Sequence, residues 1–413
     1  MKAFSARAGL LLGLAFRNML RNPRRSILTL SAISVGVWSC TSLAALARGV
    51  GAEMARDAIY NLTGHIQIHA PDYVEDPSIE HRFKWPNQKI NRLLKEIDTA
   101  GIAVRVRVPA VVASERETRS VTLVGIDPAQ EQGLSFIGDK ISAGDLFSAA
   151  GKSGIVIGRA LLDELETKQG KRVVLLSQNT KNEIADRGFR ITAVFDAELE
   201  STEKSYVFVS REAAQTMLGM QGEVSEIAVT LKDKDKLHEY VTRLKQALPE
   251  FEVHSWRELE PLVTALNSIQ NGFLFLWYLI VIVTVAFGLV NTLFMAIYER
   301  TYEIGLTQAI GFSPLMVLFE VVFESFYLLI SGAIIGNILA LLTNLWLKDG
   351  VDVSAFARGT EMIGVSSMIY PDQRISDLVA VNILVLIIGI AGSVYPAWRA
   401  SRLTPVEAMG RRE

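Results

Sequence analysis

The sequence predicts a membrane α-helical protein: four transmembrane helices, with a large extracytoplasmic α+β domain inserted between the first and the second. Three observations carry that prediction. Half of the 413 residues are hydrophobic, and they gather in four runs each long enough to cross a bilayer. Lysine and arginine cluster beside the two chain ends. Between the first two runs, residues 48–271 carry alternating stretches and turn residues in the manner of a folded domain.

A spanning helix needs roughly 20 mainly apolar residues to cross a hydrocarbon core of about 30 Å. The four runs are residues 26–46, 273–297, 315–345 and 378–397. The first is longer than the core of a cleaved signal peptide. Beyond it, Leu46, Val50, Met54 and Ile59 keep a helical spacing, so it reads as an uncleaved span that projects past the membrane. The segment "WRELEPLVTALNSIQNG" before the second run is helix-like too, which makes a stalk of both.

Arg7, Arg17, Arg21, Arg24 and Arg25 precede the first span, and Arg399, Arg402, Arg411 and Arg412 follow the last. Four spans place both termini on one side, and the basic side is cytoplasmic. The short loop between spans two and three is then cytoplasmic, and residues 48–271 are external. A net charge of −2 offers no basic surface for nucleic acid. The single cysteine, Cys40, excludes an intrachain disulfide and a cysteine metal cluster; it reads as a small apolar residue of the first span, ahead of a regulatory or lipidated thiol.

In the external domain "GHIQIHA" and "AVRVRVPAVVAS" alternate as half-buried strands do, while "VTLVGIDP" and "GIVIG" are short apolar strands. "RALLDELETKQG" reads as a helix closed by glycine, and "SEIAVTLKD", "DKLHEYVTRLKQAL" and "FEVHSW" as strand, helix, strand. A second lobe is expected over about residues 188–256. Two features resemble sites and fail on spacing. "GDLFSAAGKSG" ends like a phosphate-binding loop, but Leu146 stands where the motif needs glycine, so Lys152 reads as a surface turn. His65 and His69 would suit a metal on a helix, but on a strand they stand about 13 Å apart. Neither H-E-x-x-H nor G-x-S-x-G occurs, so no familiar hydrolase motif is present.

In the loop between spans two and three, Ile297, Tyr298, Tyr302, Ile304, Leu306 and Ile310 interleave with Glu299, Arg300, Glu303 and Gln308. A short amphipathic helix ending near Gly311 fits this pattern, and so does a plain reversal with a solvated charged face. Glu299 and Glu303 repel each other by a few tenths of a kcal/mol, as expected of a surface with a basic partner. After the fourth span the chain leaves through Pro396. A second small element follows, with Thr404 as cap, Pro405 in the first turn and Glu407 reaching back. Glu320 and Glu324 sit four apart inside span three; inter-helix hydrogen bonding, interfacial snorkelling and proton coupling are the candidate roles, in that order.

The segment "YERTYEIGLTQAIGFSP" resembles the hallmark loop of the MacB/FtsX-like ABC-transporter permeases, and "YPAWRASRLTPVEAM" resembles their C-terminal signature. "FRNMLRNPRRSILTL", "VTLVGIDP", "SGIVIGRALLDEL" and "SEIAVTLKD" are similar to other parts of the same superfamily, so the resemblance covers the whole chain. It implies residues 1–47 as N-terminus and first span, 48–271 as a MacB-like periplasmic domain, and 272–413 as an FtsX-like permease domain. It also implies a coupling helix in which Glu299, Arg300, Glu303, Ile304, Gly305 and Gly311 meet an ATPase groove. Pro396, Pro405 and Glu407 would form a cytoplasmic C-terminal motif.

No nucleotide would bind this chain directly. ATP and Mg would be held by a separate ABC ATPase dimer, with a second copy or a related permease completing the transporter. The lipoprotein-releasing (LolC/LolE-like) branch is favoured. That branch implies a bacterial inner-membrane protein with lipid or lipoprotein cargo, and a periplasmic carrier as a further candidate partner. The alternatives are an efflux permease for drugs or peptides and a non-transporting FtsX-like transducer that activates a cell-wall hydrolase. A membrane enzyme is disfavoured by the missing catalytic motifs.

Overall fold

A computed structural model describes residues 13–15, 17–18, 21–137, 153–197, 200–352 and 368–403. The chain divides into two compact units, with Glu53–Leu266 in one and the described residues before and after that segment in the other.

The first unit is built from four helices long and apolar enough to cross a membrane. They are α1 (Pro23–Ala58), α6 (Pro261–Glu299), α8 (Pro314–Trp346) and α9 (Ile375–Ser401). At 36 and 39 residues, α1 and α6 are well beyond the roughly 20 that a bilayer requires. The bundle core is apolar, with Ile33, Val37, Leu289, Val321, Leu329 and Val385 buried together. Phe273, Phe287, Ile338 and Ile387 stay exposed, as lipid-facing side chains must.

Apolar attraction alone does not join helices in lipid; close packing and polar contacts do. Gly332 and Gly336 of α8 supply the packing. A methyl group built on Gly332 would lie 2.6 Å from Ile33 Cγ2, and one on Gly336 would lie 2.7 Å from the Ser34 carbonyl oxygen. That proximity lets Ser34 Oγ donate to the Gly332 carbonyl at 3.1 Å. Asn337 Nδ2 donates to Asn382 Oδ1 at 2.9 Å, and Arg48 grips Asp377 through Nε at 3.0 Å and Nη2 at 3.1 Å. One expectation needs correction. The chain does not leave the fourth span through Pro396: α9 runs on to Ser401 with that proline buried inside it. Proline removes one backbone bond, the one to the Gly392 carbonyl, and the helix continues on either side.

The external unit rests on a sheet in the order β11-β1-β10-β3-β4-β8-β5-β7-β6, whose last strand also pairs with β3. The strands are β1 (Ile66–His69), β3 (Thr99–Ala113), β4 (Thr118–Ile126), β5 (Gly154–Gly158), β6 (Arg172–Gln178), β7 (Ile184–Phe195), β8 (Tyr206–Ser210), β10 (Glu226–Leu231) and β11 (Glu252–Ser255). A short pair, β2 (Phe83–Lys84) and β9 (Glu223–Val224), stands apart.

The 15-residue β3 belongs to two lobes. Its first half pairs with β10, with Val104 opposite Ile227, beneath α2 (Gln88–Lys95) and α5 (Leu237–Ala247). Its second half pairs with β4 and β6, with Val111 opposite Ser120 and Leu176, which closes six strands into a barrel. The barrel is covered by α3 (Arg159–Glu164) and α4 (Arg211–Leu218). The lobes therefore do not divide near residue 188 as the sequence led us to expect. β7 and β8 complete the barrel, while β10, α5 and β11 return to join β1, because strand partners are chosen by pairing and not by chain order.

Two local readings also change. The helix expected over residues 159–170 stops at Glu164, since Glu166 takes φ 47° and Gly170 takes φ 86° ahead of β6. β1 is buried along its whole length instead of on one face: Ile66 and Ile68 pack beneath α2 and α5, while on the opposite face Gln67 and His69 are buried with Tyr73 stacked on the His69 ring. Arg105 of β3 carries a charge into this interior. It donates to both oxygens of Glu131, at 2.7 and 2.8 Å, and to Glu226 at 3.0 Å, and it also bonds the Leu62 carbonyl. Ser135 Oγ donates to Glu131 at 2.6 Å, so Arg105 and Glu131 are paired and hydrogen-bonded as their burial demands.

Candidate functional site

The loop between spans two and three folds as the helix α7 (Thr301–Ala309), separated from α6 by a break at Arg300. Thr301 Oγ1 lies 3.0 Å from both the Ile297 and Tyr298 carbonyls and shares its one proton between them, while the Arg300 amide also donates to the Ile297 carbonyl at 3.2 Å. At the far end Gly311 takes φ 107°, a conformation that side chains resist, and the Phe312 amide donates back to the Thr307 carbonyl at 3.1 Å.

Each residue of the loop motif has a definite place. Ile304 and Gly305 are buried, with Ile304 in the bundle core beside Val317 and Val321. Arg300 turns inward. Its Nη2 lies 3.2 Å from Glu320, its Nη1 3.3 Å from Glu324 and its Nε 3.5 Å from Glu303. Arg25 of α1 reaches Glu299 at 3.1 Å and Glu324 at 3.6 Å. Arg21 holds both oxygens of Glu303, one of them at 2.8 Å, and this bond keeps the Glu303 carboxyl below its usual range. Asn18 donates to Glu320 at 2.7 Å and Asn22 to Glu299 at 3.3 Å. The basic partners of the Glu299 and Glu303 pair are thus the chain's own Arg25, in α1, and Arg21, just before it.

Four carboxylates and three guanidiniums form this network, which knots α1, the α6–α7 break, α7 and α8 together. Arg fits the task because its planar fork can bridge several carboxylates at once. Glu324 is the deepest member, only 4% exposed, and the two arginines beside it answer the cost of its burial. Sequence reasoning counted Arg21 and Arg25 only as topology signals. The signal missed was their four-residue spacing, which matches that of Glu299 with Glu303 and of Glu320 with Glu324.

The outer face of α7 is apolar. Tyr302 is 44% exposed, Leu306 47% and Ile310 76%. Next to it, Gln308, Leu315, Trp398 and Leu403 line a groove between α7 and the end of α9, where Gln308 Nε2 donates to the Ser401 carbonyl at 3.4 Å. Pro396 is near this end of α9, whereas Pro405 and Glu407 lie outside the described residues, as do Gly151 and Lys152 of the phosphate-loop lookalike.

In the external unit His65 and His69 are buried. His65 accepts from the Leu231 amide at 3.2 Å, His69 contacts Gln67, and burial lowers both imidazoles to about 4. No group of three His, Cys, Asp or Glu side chains suited to a metal occurs among the described residues.

The described residues thus form a bundle of four helices of membrane-spanning length, an inserted domain, and a short helix tied into the bundle. Residues 26–247 match the MacB-like periplasmic core domain and residues 275–405 the FtsX-like permease C-terminal domain. The chain belongs to this family of MacB- and FtsX-like ABC transporter permeases and is a multi-pass membrane protein.

It is similar to the lipoprotein-releasing system transmembrane protein LolC of Xylella fastidiosa, with 24% identity over 93% of each chain. It is also similar to the corresponding LolE of Haemophilus influenzae, with 21% identity over 95% of this chain and 96% of that one. An ABC transporter permease of Methanocaldococcus jannaschii is 22% identical over 96% of each.

Proposed function

We propose that this permease transmits the closure of a separate pair of ABC ATPases to its external domain, and so releases lipoproteins or lipid-like cargo from a bacterial inner membrane. The observation that carries this reading is the charged network. It makes α7 one mechanical piece with α1 and α8, so a force applied to α7 is felt by two spans. The ATPase groove would take the outer face of α7, Tyr302, Leu306 and Ile310, while Arg300, Ile304 and Gly305 hold the helix from within. Both termini and α7 would be cytoplasmic, and ATP with Mg would be bound by the partner. Similarity to both LolC and LolE supports lipoprotein cargo and is compatible with a paired permease of either kind. Efflux of a drug or peptide is the second reading, favoured by the MacB-like match.

The test is a pull-down from solubilised membranes with mass spectrometry. Wild type is expected to retain a Walker-motif ATPase and lipoproteins, whereas Leu306→Asp keeps its fold and loses the ATPase. Retention of the ATPase by a Leu306→Asp and Ile310→Asp double variant would remove α7 from the interface.

A further inference from the structure

The external unit contains a cleft of about 210 Å³ whose wall includes Gln67, His69, Tyr73, Arg107, Glu226 and Glu260. Two atoms of its lining side chains have no hydrogen-bond partner, Oε2 of Glu226 and Nδ1 of His69, although both residues are buried, at 0% and 1% exposed. Buried polar atoms are nearly always satisfied, so two orphans in one cleft need an account.

Their chemistry is fixed by their neighbours. Gln67 Nε2 donates to the Leu62 carbonyl at 3.4 Å, which leaves its oxygen to accept from His69 Nε2 at 2.9 Å. In that tautomer His69 Nδ1 carries a lone pair. The other oxygen of Glu226 accepts from Arg105, and Arg107 Nη1 is 3.6 Å from Oε2, too far for a hydrogen bond. Arg107 is otherwise engaged, donating to the Tyr206 hydroxyl at 3.1 Å and stacking over its ring. A third acceptor, Glu260, takes only a long bond from Thr63 Oγ1 at 3.4 Å.

The charges do not balance. Arg105 and Arg107 are matched by Glu131 and Glu226, and Glu260 remains as an additional acid. A water molecule can donate to two acceptors but leaves the additional acid unanswered. We propose that this cleft binds a small primary ammonium group, whose N–H donors satisfy Glu226 Oε2, His69 Nδ1 and Glu260. A soluble amine and the headgroup of an aminophospholipid share this chemistry.

Calorimetry on the full-length protein in detergent tests it, with ethanolamine as the probe and choline as a control of equal charge that lacks N–H donors. Ethanolamine is expected to bind saturably and at least about tenfold more tightly than choline, as hydrogen bonds to charged groups are worth that much. Glu260→Gln and His69→Phe should each weaken ethanolamine by about tenfold. Equal binding of the two amines would mean that the cleft reads charge without N–H donors, and binding of neither that it holds water only; either would overturn the proposal, whatever the variants do. Wild-type affinity in both variants would overturn it as well.

Nanodiscs then separate the sources. If phosphatidylethanolamine added to phosphatidylglycerol discs weakens the apparent affinity for ethanolamine, the lipid headgroup is the occupant. Unchanged affinity assigns the site to a soluble amine.

Discussion

Arg300 faces three carboxylates at once and is only 16% exposed. Replacing it with methionine would leave the buried Glu324 with Arg25 alone, at 3.6 Å. Breaking a buried pair costs about 3–5 kcal/mol, and the upper part of that range is offset here by the remaining arginine. We expect Arg300→Met to lose about 3 kcal/mol in thermal unfolding in detergent. Arg300→Lys should recover part of this, because an ammonium can serve fewer of the three acids. An unchanged midpoint in the methionine variant would show the network to be ornamental. Motif letters alone could not reveal this geometry. Glu299, Arg300 and Glu303 were legible as important, but their partners were not: Arg25 and Arg21 lie 274 and 282 positions before the two acids, and Arg300 turns inward to Glu320 and Glu324 of α8.

The buried histidines give a second expectation at this scale. The folded values of about 4 lie below the ordinary 6.5, so between those limits the unfolded chain binds more protons. Stability from this source is complete above 6.5 and is lost as pH falls through the window, by up to about 3 kcal/mol per histidine. His65→Asn preserves an acceptor for the Leu231 amide but does not titrate. It should flatten the fall in melting temperature between about pH 7 and pH 4.5. A slope equal to that of wild type would mean that His65 is protonated in the fold.

Among the elements, α8 is the one whose surface is most demanding. Gly332 and Gly336 lie against Ile33 and Val37 with no room for a side chain, so Gly336→Leu must push α8 away from α1. Overpacking of this sort costs about 1–3 kcal/mol. The effect should appear as a lower melting temperature in detergent, with Gly336→Ala shifted less than Gly336→Leu. Unchanged melting in the leucine variant would show that the helices yield without cost. The spans themselves were legible from hydropathy, to within a few residues at the membrane ends. Pro396 was misread because a proline in a long buried helix loses one bond, while the packed bundle holds the rest.

The strands were legible one by one, and their grouping was not. Period-two alternation locates β3, but nothing in its sequence says that it changes partners halfway, from β10 to β4 and β6. Likewise β1 alternates as a one-sided strand would, and its second face, Gln67 and His69, is buried because Tyr73 stacks on the His69 ring and His254 of β11 lies beside it.

On the scale of the whole molecule, the arginine distribution predicts opposite sides for α7 and the β6–β7 hairpin. With Cys40 replaced by alanine, a cysteine at the exposed Ile184 should react with an impermeant maleimide in intact spheroplasts. One at Leu306 should react only after the membrane is opened. Labelling of both before permeabilisation, or the reverse order, would overturn the orientation. The broad division into a bundle and an inserted domain was legible because a bilayer imposes a length on apolar runs. The cleft was not, because its walls come from strands far apart in the chain.

The contact between Ser34 and Gly332 has a consequence in time. The two residues are separated by 298 positions. At a synthesis rate of about 5–20 residues per second, the nascent first helix waits roughly 15–60 s for its partner to emerge from the ribosome. It is equipped for solitude: Thr29 and Thr41 donate to the carbonyls of Arg25 and Val37 in their own helix, at 3.1 and 2.7 Å. Ser34 is the hydroxyl held for the late arrival.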